Sequence, residues 1–129
     1  MIRVIVVDDH AMVREGLASV LAADGDIEVV AGAANGAEAV EIVAGQQPDV
    51  VVICGDSFEQ LAIAMAAAYL NITIAHIEGG DVTGSIDESV RHAITKLAHL
   101  HFVTNADAER RVRLLGEDPR YVFNTGSLD

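Results

Sequence analysis

Residues 48–57 read Pro48-Asp49-Val50-Val51-Val52-Ile53-Cys54-Gly55-Asp56-Ser57. Val50–Cys54 is an unbroken apolar run with no polar alternation. A strand with one wet face alternates, whereas a strand covered on both faces does not, so this run predicts a strand inside a parallel sheet. Working outward, the same kind of run recurs at Ile2–Val7 and Ile27–Ala31 on one side, and at Ile72–Ile77 and Leu100–Val103 on the other. Tyr121–Asn124 is a weaker sixth. Helical spacing fills the gaps. In Ala11–Ala23, the residues Val13, Leu17, Val20 and Leu21 share a face, and in Gly36–Ala44 Val40 and Val43 do so, with Gly45 read as the stop. Residues 58–70 are apolar almost all round. Residues 86–98 space Ile86, Val90, Ala93, Ile94 and Leu97 helically, behind a capping box of Ser85 and Glu88. Residues 106–115 carry Ala108, Val112 and Leu115 on one stripe, with Asn105 as cap and Gly116 as stop.

Strand and helix alternate throughout. That pattern predicts an α/β fold with a doubly wound parallel sheet, helices on both faces and right-handed crossovers. The expected architecture is a flavodoxin-like or Rossmann-like three-layer sandwich of six strands in the order 2-1-3-4-5-6, forming a single domain over residues 1–129. With 129 residues, 51% hydrophobic and 22% charged, the chain suits one globular domain and excludes disorder. A formal net charge of −12 repels phosphate backbones and anionic lipid, so no nucleic-acid or membrane partner is expected. Cys54 is the single cysteine, which excludes an internal disulfide and a cysteine-cluster zinc site. The N-terminus reaches Asp8 and Asp9 too early for a secretion signal, and no apolar run nears the roughly 18 residues of a membrane span. The expectation is a soluble cytoplasmic domain.

In such sheets ligands gather at the carboxyl ends of the strands. There the first strand ends in Asp8-Asp9-His10, the third in Cys54-Gly55-Asp56-Ser57, the fourth in His76-Ile77-Glu78-Gly79-Gly80 and the fifth in Thr104-Asn105. If the first, third and fourth strands are neighbours, Asp8, Asp9, Asp56 and Glu78 share one rim. Crowded carboxylates raise one another's pKa or recruit a hard cation, which makes Asp8, Asp9 and Asp56 a weak candidate site for Mg or Ca, with no cofactor required. The same acids also suit a solvated rim with helix caps. Gly55, Gly79 and Gly80 suit either an anion cradle or tight turns. Cys54 reads as a reactive thiol or as a small packed residue. His10, His76, His92, His99 and His101 read as isolated imidazoles, and Arg110, Arg111 and Arg113 as a solvated face at a helix end. The apolar helix at 58–70 is either buried all round or a surface for self-association.

Two family resemblances divide the sequence. Residues 1–53, from Ile2-Arg3-Val4-Ile5-Val6-Val7-Asp8-Asp9-His10 to Pro48-Asp49-Val50-Val51-Val52-Ile53, resemble the first half of a response-regulator receiver domain. That resemblance implies Mg²⁺ ligands at Asp8 and Asp9 and a phospho-accepting aspartate at the end of the third strand. Cys54 stands at the acceptor position, and a thiol forms no acyl phosphate. The family's later Thr/Ser and Lys are replaced near their places by Glu78 and Asn105. Residues 55–129 resemble the amino-terminal domain of the hydrolysing UDP-N-acetylglucosamine 2-epimerases, through Gly55-Asp56, His76-Ile77-Glu78-Gly79-Gly80, Ser85-Ile86-Asp87-Glu88-Ser89-Val90-Arg91-His92 and Gly126-Ser127-Leu128-Asp129. That resemblance implies catalytic carboxylates at Asp56, at Glu78 and at Asp87 or Glu88. It also implies a second lobe and an N-terminal phosphate-contacting loop, whose place a receiver sequence takes here. Each half is expected to lack its functional complement. The overall expectation is an engineered chimera with no evolved activity, not an enzyme, in which those four carboxylates are vestigial. Two alternatives stand beside it: residual sugar-nucleotide binding or epimerase-type chemistry, and a degenerate receiver-like binding module that is not phosphorylated.

Overall fold

A computed structural model describes residues 1–55, 57–81, 84 and 86–126. Its strands are β1 (Ile2–Val7), β2 (Ile27–Ala33), β3 (Val50–Cys54), β4 (Thr73–Ile77), β5 (Leu100–Val103) and β6 (Val122–Asn124). Its helices are α1 (Ala11–Ala22), α2 (Gly36–Gln46), α3 (Phe58–Tyr69), α4 (Ile86–Leu97) and α5 (Ala106–Leu114), with a 3₁₀ turn at Pro119–Tyr121. The six strands form one parallel sheet in the order β2-β1-β3-β4-β5-β6, as the alternation predicts. β3 joins the two sequence types without a register break. It pairs with β1 from Val4↔Val50 to Val7↔Ile53, and with β4 from Val50↔Thr73 to Cys54↔Ile77.

The helices are distributed unequally over the two faces. On one face Ile5, Val7, Val51, Ile53 and Ile74 pack with Val43 of α2, Ile63, Ala64 and Ala67 of α3, and Ile94 of α4. α5 lies on that same face. The β4–β5 register sets His76 beside His101, His76 bonds Thr95 of α4, and Val103, two residues beyond His101, packs with Ala108 and Val112. On the opposite face Val4, Val6, Val52 and Ala75 meet α1 through Leu17 and Leu21. Helices thus cover both faces, as expected, but unequally: among the described residues the second layer is α1 alone. Crossover handedness explains this. β1→β2 steps one way along the sheet and every later connection steps the other way, so right-handed crossovers place α1 on one face and α2 to α5 on the other.

Helix ends follow local chemistry. Asn105 caps α5 by accepting from the Ala108 N–H at 2.8 Å, and Gly116 ends that helix region at φ +97°, both as expected. Gly45, read as a stop, instead lies inside α2, where an added Cβ would meet nothing within 4 Å. The helix ends at Gln47, at φ +44°, because Pro48 disfavours a helical residue before it. Arg3 of β1 donates to the Gln46 and Gln47 carbonyls at 2.7 and 3.2 Å and so satisfies that end. α3 opens with a capping box. The Ser57 Oγ accepts from the Gln60 N–H at 3.3 Å, and the Gln60 Oε1 accepts from the Ser57 N–H at 2.8 Å. Ser85, the other expected capping residue, lies outside the described residues. α3 is neither wholly buried nor wholly outward. Ile63, Ala64 and Ala67 face the sheet, while Phe58, Met65 and Tyr69 are exposed.

Candidate functional site

The carboxyl edge brings the expected strand ends together, because β1, β3 and β4 are adjacent. The registers Val7↔Ile53 and Ile53↔His76 set Asp8, Cys54 and Ile77 at one level, with Glu78 one residue beyond. Asp56 lies outside the described residues.

Glu78 adopts φ +70°. A side chain in the left-handed region costs about 1–2 kcal/mol, so this backbone persists only because its surroundings hold it. Its N–H donates to the Phe102 carbonyl at 2.8 Å. Gly79 and Gly80 then pass beneath two helices. A Cβ at Gly79 would lie 2.8 Å from the Thr95 hydroxyl, and one at Gly80, at φ +84°, would lie 2.4 Å from the Ala108 carbonyl oxygen. Buried His76 anchors the turn from below. Its Nε2 lies 3.0 Å from the Gly55 carbonyl and its Nδ1 3.0 Å from the Thr95 hydroxyl. A carbonyl only accepts, so Nε2 carries the proton in that contact. Three further groups clamp the turn. Arg91 donates to the Asp81 carbonyl at 2.5 Å, Arg111 to the Gly80 carbonyl at 3.2 Å, and the Thr104 hydroxyl to the Asp81 carboxylate at 3.4 Å.

Of the two acids expected before Arg91, Asp87 is exposed in the first turn of α4. Glu88 is half-buried and accepts from the Gly84 N–H at 3.4 Å. The two therefore point differently, and Glu88 is the one tied to the loop. Arg91 and Arg111 are the residues that motif reading undervalued. Arg91 lies in the Ser85–His92 motif and Arg111 in the basic cluster expected to be solvated, yet both hold backbone carbonyls of the Glu78–Asp81 turn. Arg113 pairs with Glu109 at 3.0 Å and Arg110 lies 4.0 Å from Asp107, both on the helix surface as expected.

At the end of β1, Asp8 is buried and its Oδ1 accepts from the His10 N–H at 2.7 Å. The His10 Nδ1 lies 3.3 Å from Asp8 and 3.0 Å from the carboxylate of exposed Asp9. Asp8, Asp9 and His10 offer ligand atoms within 4.8 Å of one another. Two carboxylates suit a hard cation, but the imidazole stands between them and Cys54, at the level of Asp8, offers sulfur where Mg²⁺ takes oxygen. The described donor set thus fits a receiver-type Mg²⁺ site poorly. Cys54 is buried, which favours the packed reading over a reactive thiol.

Away from this edge, His101 is buried with its Nε2 3.0 Å from Glu117, whose other oxygen lies 2.6 Å from Lys96. Burial lowers the His101 pKa, against the opposing pull of Glu117. His99 accepts from the Ile74 N–H at 3.0 Å. These two imidazoles are therefore engaged structurally rather than paired as ligands.

The family model for UDP-N-acetylglucosamine 2-epimerase matches residues 21–129. The chain belongs to that family. It is 44% identical over 87 residues to the hydrolysing UDP-N,N'-diacetylbacillosamine 2-epimerase of Legionella pneumophila, a match covering 67% of this chain and 23% of that protein. It is also 49% identical over 53 residues to the transcriptional regulatory protein LiaR of Bacillus subtilis, covering 41% of this chain and 25% of LiaR. The chain thus spans about a quarter of the length of the curated relatives it matches. In shape it follows the crystal structure of UDP-GlcNAc 2-epimerase from Neisseria meningitidis, bound to UDP-GlcNAc, with a TM-score of 0.85 at 17% identity over 98% of this chain and 46% of that one. The receiver domain of Thermotoga maritima CheB fits less well, with a TM-score of 0.65 at 21% identity over 92% and 99% of the two chains. The epimerase family member is therefore a two-part chain with a receiver-like opening, and its fold as a whole is that of the epimerase half. In this chain α5 leads onward to β6 and stays on the α4 face.

Proposed function

We propose that this chain is an engineered fold chimera, a recombined α/β scaffold without evolved biochemical activity. The observation that carries the reading is the seam at β3. The receiver-like segment ends in buried Cys54, where its family places the phospho-accepting aspartate, and runs directly into the epimerase-like Gly55 within one unbroken strand register. Natural fusions join whole domains through linkers, whereas this join falls inside one hydrophobic core. Neither family's chemistry is complete at the shared edge. Aspartyl phosphotransfer lacks its acceptor, and the epimerase carboxylates stand beside a first loop of receiver type. A reducing cytoplasmic setting suits a buried thiol such as Cys54.

Residual sugar-nucleotide binding is a second reading, favoured by one feature. Glu78 is held in a strained backbone above two glycines, and such strain clusters at functional sites. Titration calorimetry with UDP and UDP-N-acetylglucosamine separates the two. The scaffold reading expects no heat at millimolar ligand, and saturable heat abolished by Glu78→Gln would replace it with the second reading. Incubation with acetyl phosphate and Mg²⁺, followed by intact-mass measurement, should leave the mass unchanged. A single added phosphoryl group would revive receiver chemistry.

A further inference from the structure

β6 is the edge strand beside β5 and pairs with it through Val122, Phe123 and Asn124. With α5 it closes a small core of its own. Val103, Ala108, Val112 and Val122 pack as a cluster that shares no residue with the main core. A unit with few apolar contacts opens before the rest of its domain. A polar clasp fastens this unit to the body. Glu117, in the connection between α5 and β6, has one carboxylate oxygen 3.0 Å from the His101 Nε2 of β5 and the other 2.6 Å from the Lys96 Nζ of α4. His101 is 1% exposed. A carboxylate only accepts, so Nε2 carries the ring proton. Nδ1 is then a bare lone pair, buried with no hydrogen-bond partner. A second proton there would meet no acceptor, so the closed clasp suits the neutral ring.

We infer that His101, Glu117 and Lys96 form a proton-operated latch, which holds the α5–β6 unit on the sheet edge while His101 is neutral and releases it when the ring gains a second proton. The groups around His101 give the sign. Among the described residues, Glu117 attracts that proton, while Lys96 of α4 and His99 from the turn before β5 oppose it. His76 lies beside His101 on β4 and is already engaged with Gly55 and Thr95. β6 brings uncharged Val122 alongside, and Arg111 of α5 is held by the Gly80 carbonyl. Burial outweighs the pull of Glu117, so the closed form resists the proton. Released into water, the ring titrates at the ordinary value of about 6.5. Between about pH 7.5 and about pH 5.5 the released form gains a proton that the closed form does not, so its population rises about tenfold. Release also reaches the carboxyl edge. Arg111 holds the Gly80 carbonyl and the Ala108 carbonyl lies over Gly80, so the turn that carries Glu78 loses both when α5 leaves.

Amide hydrogen exchange of the full chain, read residue by residue by NMR as protection factors, tests the latch. The expected result is that α5 and β6 open at lower free energy than β3, and that their protection falls about tenfold from about pH 7.5 to about pH 5.5. His101→Gln keeps an N–H for Glu117 but takes no proton, so protection of α5 and β6 should then stay level with pH. His99→Gln should retain the tenfold fall. Should His101→Gln fail to fold, titration of the His101 ring in the parent decides alone, and the closed protein should show no protonation near the ordinary histidine value. A ring that titrates there while α5 and β6 stay protected would overturn the inference. So would α5 and β6 amides that open only together with β3, a fall that persists in His101→Gln, or one that is lost in His99→Gln.

Discussion

Gly80→Ala is the sharpest test of how the Glu78–Asp81 turn is built. The residue sits at φ +84°, and its new Cβ would lie 2.4 Å from the Ala108 carbonyl oxygen and 3.0 Å from its carbon. Ordinary contact begins about 1 Å farther out, so either the turn or the start of α5 must move. Neither is free. The turn is held by Arg91 and Arg111, and the first turn of α5 is capped by Asn105. A left-handed alanine costs about 1–2 kcal/mol and overpacking against backbone about 1–3 kcal/mol more, so the loss should be about 2–5 kcal/mol. At about 2.1 cal/mol/K per residue, 129 residues give an unfolding entropy near 0.27 kcal/mol/K, so a loss of about 3 kcal/mol lowers Tm by about 11 °C. Urea unfolding followed by circular dichroism reads the change. A loss under about 1 kcal/mol would refute the close passage of this turn beneath α5.

Gly45→Ala should do the opposite and stabilise by about 0.5–1 kcal/mol in the same assay, since Gly45 lies inside α2 with open space around it; destabilisation would restore its reading as a stop. The His101 pKa is lowered on folding, so the unfolded chain holds that proton more tightly than the folded one. Its contribution is complete above the ordinary histidine pKa of about 6.5 and is lost as pH falls below it, so stability should decline on mild acidification and His101→Leu should flatten that part of the profile. We propose that any Mg²⁺ or Ca²⁺ bound at Asp8, Asp9 and Asp56 is weak and competes with the His10 imidazole. Millimolar cation should then raise Tm more in His10→Ala than in the parent, and equal shifts would contradict that competition.

Strand positions were legible because continuous β-branched runs mark strands covered on both faces, and Ile2–Val7, Val50–Cys54 and Leu100–Val103 match their expected bounds. Strand order followed from the alternation of elements. The unequal helix layers were not read, although crossover handedness applied to that order contains them. Gly45 misled because glycine frequency at helix ends is only a statistical guide, whereas Pro48 and Arg3 set this end physically. The capping pair Ser57 and Gln60 lay in plain view at the right spacing. Arg111 had no local signal: its partner, the Gly80 carbonyl, lies 31 residues away and meets it only after β4, β5 and α5 assemble. The strain at Glu78 is likewise a product of its clamps rather than of its neighbours in sequence.

The central claim is that a receiver-like and an epimerase-like segment share one cooperative core across β3. Native-state amide hydrogen exchange tests it most directly. Amides of β1, β3 and β4 should exchange through a single opening whose free energy equals that of global unfolding. Two separate classes, with β1 opening well before β4, would contradict it and mean that two half-folds merely lie side by side.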